Sequence, residues 1–282
     1  MYSTRQTLGE IDMQHWQNAV SEIQESVVNS RRFGLITDMD GTISPIVPEP
    51  DQAQVTPRIC TLLDSLLPHL ALGAVVSGRS ITDLHGRLDL PGLVYVGNHG
   101  FEWWLDDQIE IASEAQRHRR ALEAALGALC RRQQPGMLIE DKGATISVHY
   151  RQTADPAAVQ AAFSPIAQQI ADQHNLNLFQ GRMVFELRPP VEINKGTALA
   201  YLIEHYHLDA AIYMGDDTTD ADALKMARQL RQEGRCAAYG MAVVSEDTPD
   251  VVCHSADLSS AGITDVERFL DWLLRAFTAS AS

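Results

Sequence analysis

The sequence predicts an α/β protein, a parallel-sheet core interrupted by a smaller inserted α/β unit. Three observations carry this reading. Short, continuous apolar runs alternate with helical stretches at both ends of the chain, the pattern of a parallel sheet covered on both faces. In the middle, apolar and polar residues alternate with period two, as in an antiparallel sheet with one face covered. Several apolar runs of the flanking parts end in polar or acidic clusters, where open parallel sheets place their sites.

The elements follow in chain order. Trp16, Val20, Ile23 and Val27 recur at helical spacing and predict an amphipathic helix near 12–30. FGLIT reads as a buried strand ending at Asp38. Ile59, Leu62, Leu63, Leu66 and Leu67 mark a helix that Thr56 caps and Pro57 opens. LGAVVSG, ending at Ser77, and GLVYVGNHG read as the second and third strands. SEAQRHRRALEAALGALCRRQ predicts one long basic helix, with Arg117–Arg120 as a solvated face. MLIED and ATISVHY predict adjacent strands; in the second, Ile146, Val148 and Tyr150 share one face and Thr145, Ser147 and His149 the other. A helix is expected from about Pro156 to Gln173, then a hairpin over LNLFQGRMVFELRPP. Its second strand sends Met183, Phe185 and Leu187 one way, Glu186 and Arg188 the other. Beyond Pro190 the first pattern returns. Asn194 caps KGTALAYLIEHYHL, AAIYMG is a strand ending at Asp216, and RCAAYG and DVVCH are strand candidates. The predicted organisation is an N-terminal helical extension over 1–32, core over 33–108, an inserted unit over 109–188, and core again over 189–282.

Composition narrows the function. The 282 residues are 45% hydrophobic and 21% charged, ordinary for a globular protein, with a net charge of −15. Such acidity argues against nucleic acid or an anionic membrane as partner. An anionic substrate then needs local Lys, Arg or a metal ion. Cys60, Cys130, Cys236 and Cys253 are scattered, with no C-x-x-C pair. They are expected to be free, mostly buried thiols in a reducing cytoplasm. Residues 1–16 lack the basic start and apolar run of a leader, and no apolar run reaches membrane-spanning length.

Four clusters sit at predicted strand ends or helix starts: Asp38-Met39-Asp40, Ser77-Gly78-Arg79, Lys195, and Asp216-Asp217. Aspartates converging on one mouth repel one another and demand a cation. Mg²⁺ suits oxygen donors, and the expected ligands are the carboxylates of Asp38 and Asp216 and the backbone carbonyl of Asp40. A carboxylate can attack phosphorus, and Asp38, on a rigid strand end, is the candidate nucleophile. Asp40 is placed to protonate the leaving oxygen and then to deprotonate water. The N–H groups of the Gly41-Thr42 turn and the Ser77 hydroxyl would cradle phosphoryl oxygens, and Lys195 would neutralise their charge. Each cluster alone has a plainer reading: a turn, a solvated lysine, or an Asp217-Thr218 cap. Their joint occurrence in this order is what carries weight.

Together, DMDGT, VVSGR, NKG and GDDTTD resemble the four motifs of the haloacid dehalogenase (HAD) superfamily of phosphotransferases. An insertion between the second and third is similar to its type 2 cap. The resemblance implies a HAD-type, Rossmann-like parallel-sheet core with an inserted α/β cap. DMDGTISPIVPEPDQA, YVGNHGFE, EDKGATISVHYR and FELRPPVEINKGTAL look, more narrowly, like the trehalose-6-phosphate phosphatase family, from about Phe33 to Leu224. That implies Mg²⁺-dependent hydrolysis of a phosphosugar, with Asp38 as nucleophile, Asp40 as acid and base, and Asp216 on the metal. It further implies Arg79 near the phosphate end of the sugar. Asn98, His99, Glu102, Lys142, Ser147, His149, Glu186 and Arg188 would meet sugar hydroxyls, with Thr42, Gly78, Asp217 and Asp220 in support. Ala221 stands where the family usually carries an acid. Trp103 and Trp104 are expected in packing rather than on a sugar. Another phosphosugar, such as sucrose phosphate or mannosyl-phosphoglycerate, and a non-catalytic phosphosugar-binding regulator stay open. A receiver domain is disfavoured by the insertion and the chain length. Association with a trehalose-6-phosphate synthase is left open.

Overall fold

The computed structural model describes residues 13–47, 52–105, 108–181 and 183–280. The chain forms two compact units. The first comprises 1–77, 84–95 and 194–282, the second 78–83 and 96–193. The stretch 109–188 lies within the second unit.

The first unit opens with strand β1 (Gln14–His15), a tight turn, helix α1 (Val20–Ile23) and a wide turn over Gln24–Val28. The single helix expected near 12–30 is thus broken, and its residue 12 lies outside the described residues, as do most of those searched for a leader. Trp16, Ile23 and Val27 are buried all the same, so the apolar spacing marks the inward side. Trp16 packs edge-on against Phe269, and its Nε1 donates to Asp265 Oδ2 at 2.9 Å. Then follow β2 (Phe33–Thr37), α2 (Pro57–Leu66), β3 (Leu72–Val76), α3 (Ile81–Arg87) and β4 (Leu93–Gly97). Thr56 caps α2 through the Ile59 amide, as expected.

The second unit adds the hairpin β5 (Glu102–Leu105) and β6 (Gln108–Ile111), then α4 (Ser113–Gln116) and α5 (Arg119–Cys130). The long basic helix is therefore two. Arg119 opens the second by gripping Asp141 with both terminal guanidinium nitrogens, while Arg117 and Arg120 are exposed, in keeping with a solvated face. Strands β7 (Leu138–Asp141) and β8 (Ile146–His149), helix α6 (Pro156–Gln173), and strands β9 (Asn177–Gly181) and β10 (Val184–Arg188) complete it. The sheet is antiparallel in the order β7-β8-β10-β9. Ile146, Val148, Tyr150, Phe185 and Leu187 pack with Leu122, Ala125, Phe163 and Ala167 of the two helices. Met183 does not join them. It sits in the hairpin turn with φ +62° and is 40% exposed.

The chain returns to the first unit with α7 (Lys195–His205), β11 (Ala210–Gly215), α8 (Ala221–Gln232), β12 (Ala237–Val243), α9 (Asp250–Ser255), β13 (Leu258–Ser260) and α10 (Ile263–Ser280). DVVCH is thus helical, not a strand. Pro249 precedes it, Asp250 and His254 suit the two ends of its dipole, and the strand lies just beyond, at β13. The parallel run is β1-β13-β12-β11-β2-β3. The expected parallel-sheet core is present, and β2 lies between β3, the next strand in the chain, and β11, which comes far later, so the connections on its two sides diverge. This is a topological switch point, where α/β sheets open a crevice for ligands. All four cysteines are free; only Cys236 is buried and Cys130 is exposed, which corrects the expectation of mostly buried thiols. Among the described residues no helix is long and apolar enough to cross a membrane.

Phe185 is fully buried, 4.9 Å from Tyr150 and 5.9 Å from Phe163 between ring centroids. Phe185→Ala is expected to destabilise the second unit by about 3–5 kcal/mol. Urea unfolding followed by circular dichroism checks this, and a loss below about 1 kcal/mol would contradict the packing.

Candidate active site

The carboxyl ends of three adjacent strands, β11, β2 and β3, carry Asp216, Asp38 and Ser77, all buried. The Asp38 amide donates to Met214 O at 2.8 Å, which ties its backbone to β11. Its Oδ2 lies 3.0 Å from Lys195 Nζ. Its Oδ1 is buried without a hydrogen-bond partner among the described residues. Lys195 begins α7, placed by a capping box in which Asn194 accepts from the Thr197 amide. A cation at a helix N-terminus opposes the dipole and needs compensation. Asp220 supplies it, with Oδ1 2.6 Å from Lys195 Nζ.

Asp220 is the most fully engaged carboxylate of the cluster. Its Oδ1 also accepts from the Tyr213 hydroxyl at 2.6 Å, and its Oδ2 from the amides of Asp216 and Asp217. Asp38, Asp216 and Asp220 each bring a carboxylate oxygen within 4.8 Å of the others. Burial, opposed by Lys195 and reinforced by Asp220, Asp216 and Asp40, pushes Asp38 well above the ordinary carboxylate range. Burial and Asp220 push Asp216 up to about 7, against Lys195 and a Thr42 hydrogen bond. Burial works against the Lys195 ammonium, but Asp220 and Asp38 outweigh it and hold its pKa above the usual lysine value.

The turn after β2 corrects one expectation. The Gly41 amide donates to Ser44 O at 2.7 Å and the Thr42 amide to Met39 O at 3.3 Å. Both N–H groups close the turn and do not face a phosphoryl group. Thr42 instead contributes its hydroxyl, 3.1 Å from Asp216 Oδ1. Gly41 has φ +79°, and a Cβ there would lie 2.0 Å from Asp216 Oδ2. Asp217 is exposed and caps the short turn Thr218–Asp220, the plainer of its two readings.

The second unit gathers the other predicted residues around one buried carboxylate. Glu186 is bonded by Arg188, whose Nε lies at 2.8 Å from Oε2, with the Nη2 contact shorter still. His99 Nε2 lies 3.3 Å from the same oxygen; Lys142 Nζ and the Ser147 hydroxyl meet Oε1 at 3.6 and 3.3 Å. Burial alone would raise the Glu186 pKa, but His99, Arg188 and Lys142 hold it well below the carboxylate range. Gly78 is required by this packing, since a Cβ there would fall 2.5 Å from the His99 ring. Asn98 is turned inward. Its amide nitrogen donates to Glu102 Oε1 and Lys142 O, and its Oδ1 accepts from Thr145. Glu102 also accepts from the Ile81 amide, so this pair holds the turn after β4 in place. Arg79 pairs with Asp83, and His149 with Glu140 at 3.4 Å. Trp103 and Trp104 are half-buried, and Trp103 Nε1 donates to Gly100 O.

Comparison with known proteins decides the family. The trehalose-phosphatase family model matches residues 36–253. A curated Mycobacterium tuberculosis relative called trehalose-phosphate phosphatase is 34% identical over 230 residues, covering 78% of this chain and 56% of its own length. The chain belongs to the trehalose-phosphatase family. It spans a little over half the length of that curated relative. Among solved structures it resembles a C. albicans trehalose-6-phosphate phosphatase C-terminal domain, with a TM-score of 0.75 and 21% identity over 93% of this chain and 98% of that one. It also resembles a haloacid dehalogenase-like hydrolase from Bacteroides thetaiotaomicron, with a TM-score of 0.60 and 16% identity over 86% and 100%. These likenesses support the HAD-type fold.

Sequence reasoning passed over several residues of this trehalose-phosphatase family member. Tyr213 lies inside an apolar strand run and shows its role only through Asp220. Thr145 was legible as a polar-face residue but not as the partner of Asn98. Glu140 opens the stretch EDKGATISVHYR but had no role read for it there, and Asp83 lies in no quoted motif.

Gly41 and Gly92 both adopt positive φ, but a Cβ at Gly92 meets nothing within 4 Å. Gly92→Ala is expected to cost about 1–2 kcal/mol from backbone strain alone. Gly41→Ala should cost a further 1–3 kcal/mol or so, because the methyl group strikes Asp216. Thermal unfolding of the pair measures the difference; equal losses would refute the close approach.

Proposed function

We propose that this chain hydrolyses trehalose 6-phosphate to trehalose and phosphate, through a phosphoryl group held transiently on Asp38. One observation carries the reading. At the switch-point strand, a buried carboxylate has one oxygen on Lys195 and the other without a hydrogen-bond partner among the described residues, with two more carboxylates within 4.8 Å.

The donor set fits a divalent cation such as Mg²⁺. Several buried carboxylates meet one ammonium, and hard oxygen donors suit this ion. Asp38, Asp216 and the backbone carbonyl of Asp40 would hold it. Asp220 is excluded as a ligand because four donors already engage its two oxygens. When bound, the ion supplies positive charge beside the phosphoryl oxygens and keeps the neighbouring carboxylates ionised.

The protein's own groups then account for each bond. An Asp38 carboxylate oxygen attacks phosphorus, and the bond from phosphorus to the sugar oxygen breaks. Asp40 gives that oxygen its proton, and trehalose leaves. Asp40, now ionised, takes a proton from water as the water oxygen attacks the phosphorus. The bond to Asp38 breaks, phosphate leaves, and both aspartates return to their starting state. Lys195 offsets charge on Asp38 and the phosphoryl group, Asp220 holds Lys195, and Ser77 donates to a phosphoryl oxygen. Glu186, Arg188, Lys142, His99, Ser147 and His149 are assigned to the sugar hydroxyls and Arg79 to the phosphate end. Asn98 and Glu102 act by holding the turn.

Asp38→Asn is expected to lower phosphate release by at least about 1,000-fold and to abolish an acid-stable, hydroxylamine-sensitive phosphoenzyme. Asp40→Asn should slow both leaving-group departure and hydrolysis of the intermediate, by about 100- to 10,000-fold. Near-normal rates in Asp38→Asn would end this mechanism. Turnover of sucrose phosphate or mannosyl-phosphoglycerate, with none of trehalose 6-phosphate, would replace the substrate and keep the chemistry. Absence of turnover across a phosphosugar panel would leave a binding regulator.

A further inference from the structure

The face of the second unit's sheet turned away from α5 and α6 carries an aromatic residue with no task so far. Phe179 of β9 pairs with Glu186 of β10, Glu186 with Ser147 of β8, and Ser147 with Glu140 of β7. Directly paired residues of antiparallel strands project to one face. One row therefore runs aromatic, acid, hydroxyl, acid across four strands.

Phe179 is 45% exposed, although its neighbour Leu178 packs against the apolar core on the other face. The Arg188 guanidinium covers part of its ring, 4.6 Å from the centroid, and Arg188 is itself buried on Glu186. An exposed aromatic is thus pinned beside a buried polar cluster. Strand spacing puts Phe179 about 5 Å from Glu186, close enough for one sugar ring to meet both.

Resting on the proposed function, we infer that Phe179 is the stacking platform for a pyranose ring of the substrate. A pyranose presents C–H bonds on its face and hydroxyls at its rim. The aromatic ring meets the first, and the adjoining Arg188 and Glu186 meet the second. A protein partner fits this row less well, because interface cores are depleted in charge and here ionised side chains adjoin the ring.

The test compares the chain as it stands with Phe179→Leu and Phe179→Trp on trehalose 6-phosphate and on β-glycerophosphate, which has no ring. Phe179→Leu is expected to raise KM for trehalose 6-phosphate about tenfold, with kcat changed far less. Its loss in kcat/KM should be about tenfold greater for the sugar than for β-glycerophosphate. Phe179→Trp should restore most of the affinity. An unchanged KM in Phe179→Leu, equal losses on both substrates, or failure of Trp to rescue would overturn the stacking role and leave the phosphatase reading standing. Wild-type inactivity on trehalose 6-phosphate would overturn that reading itself, and the stacking role with it.

Discussion

Buried negative charge in excess of buried positive charge is the constraint on which the first unit depends. Asp38, Asp216 and Asp220 crowd within 4.8 Å, and Lys195 reaches only two of them in direct ion pairs. Asp220 is settled by four donors, two of them backbone amides. It can therefore hold Lys195 at a helix N-terminus, a place that the dipole makes unfavourable for a cation. Asp38 and Asp216 are left short of compensation, and burial first, with the neighbouring carboxylates second, raises their pKa values against Lys195. Such a cluster must take up protons or a cation. The demand for protons or a cation thus follows from charge and burial before any reaction is considered.

The second unit solves the opposite problem. One carboxylate, Glu186, is met by Arg188, Lys142 and His99, and it stays ionised although buried. A buried ion with several good partners is costly to rearrange, which suits a rigid recognition surface. Gly78 belongs to the same device, since only a residue without a side chain admits the His99 ring. The glycine of a Ser-Gly-Arg triplet, a weak signal alone, has a packing reason that sequence cannot display.

What was legible in the sequence was whatever depends on local periodicity or on strand ends. Continuous apolar runs marked β2, β3 and β11, and helix starts were readable where a side chain caps its own helix, as at Thr56 and Asn194. Asp38, Lys195 and Asp216 were found because strand ends and helix starts are where a parallel sheet gathers them. Features set by distant partners were not legible. The break between α4 and α5 goes with Arg119 gripping Asp141, 22 positions away. Five residues of DVVCH are too few for period two and period 3.6 to differ, and Pro249 with the dipole-matched ends decides for helix. The Gly41 and Thr42 amides looked available because turn composition says nothing of which carbonyls close the turn.

Backbone proximity links these charges to the chain. A Cβ at Gly41 would lie 2.0 Å from Asp216 Oδ2, and one at Gly215 would lie 2.3 Å from Asp220 Cγ. The carboxylates are therefore pressed against main chain that has no side chain to yield, and Thr42 and two amides fix their remaining directions. Spacing between like charges is set by glycine, and spacing sets how strongly they repel. Adding one methyl group at either glycine would force a carboxylate off the partners that now hold it. The two glycines thus belong to the chemistry of the site as much as the aspartates do, although neither carries a functional group.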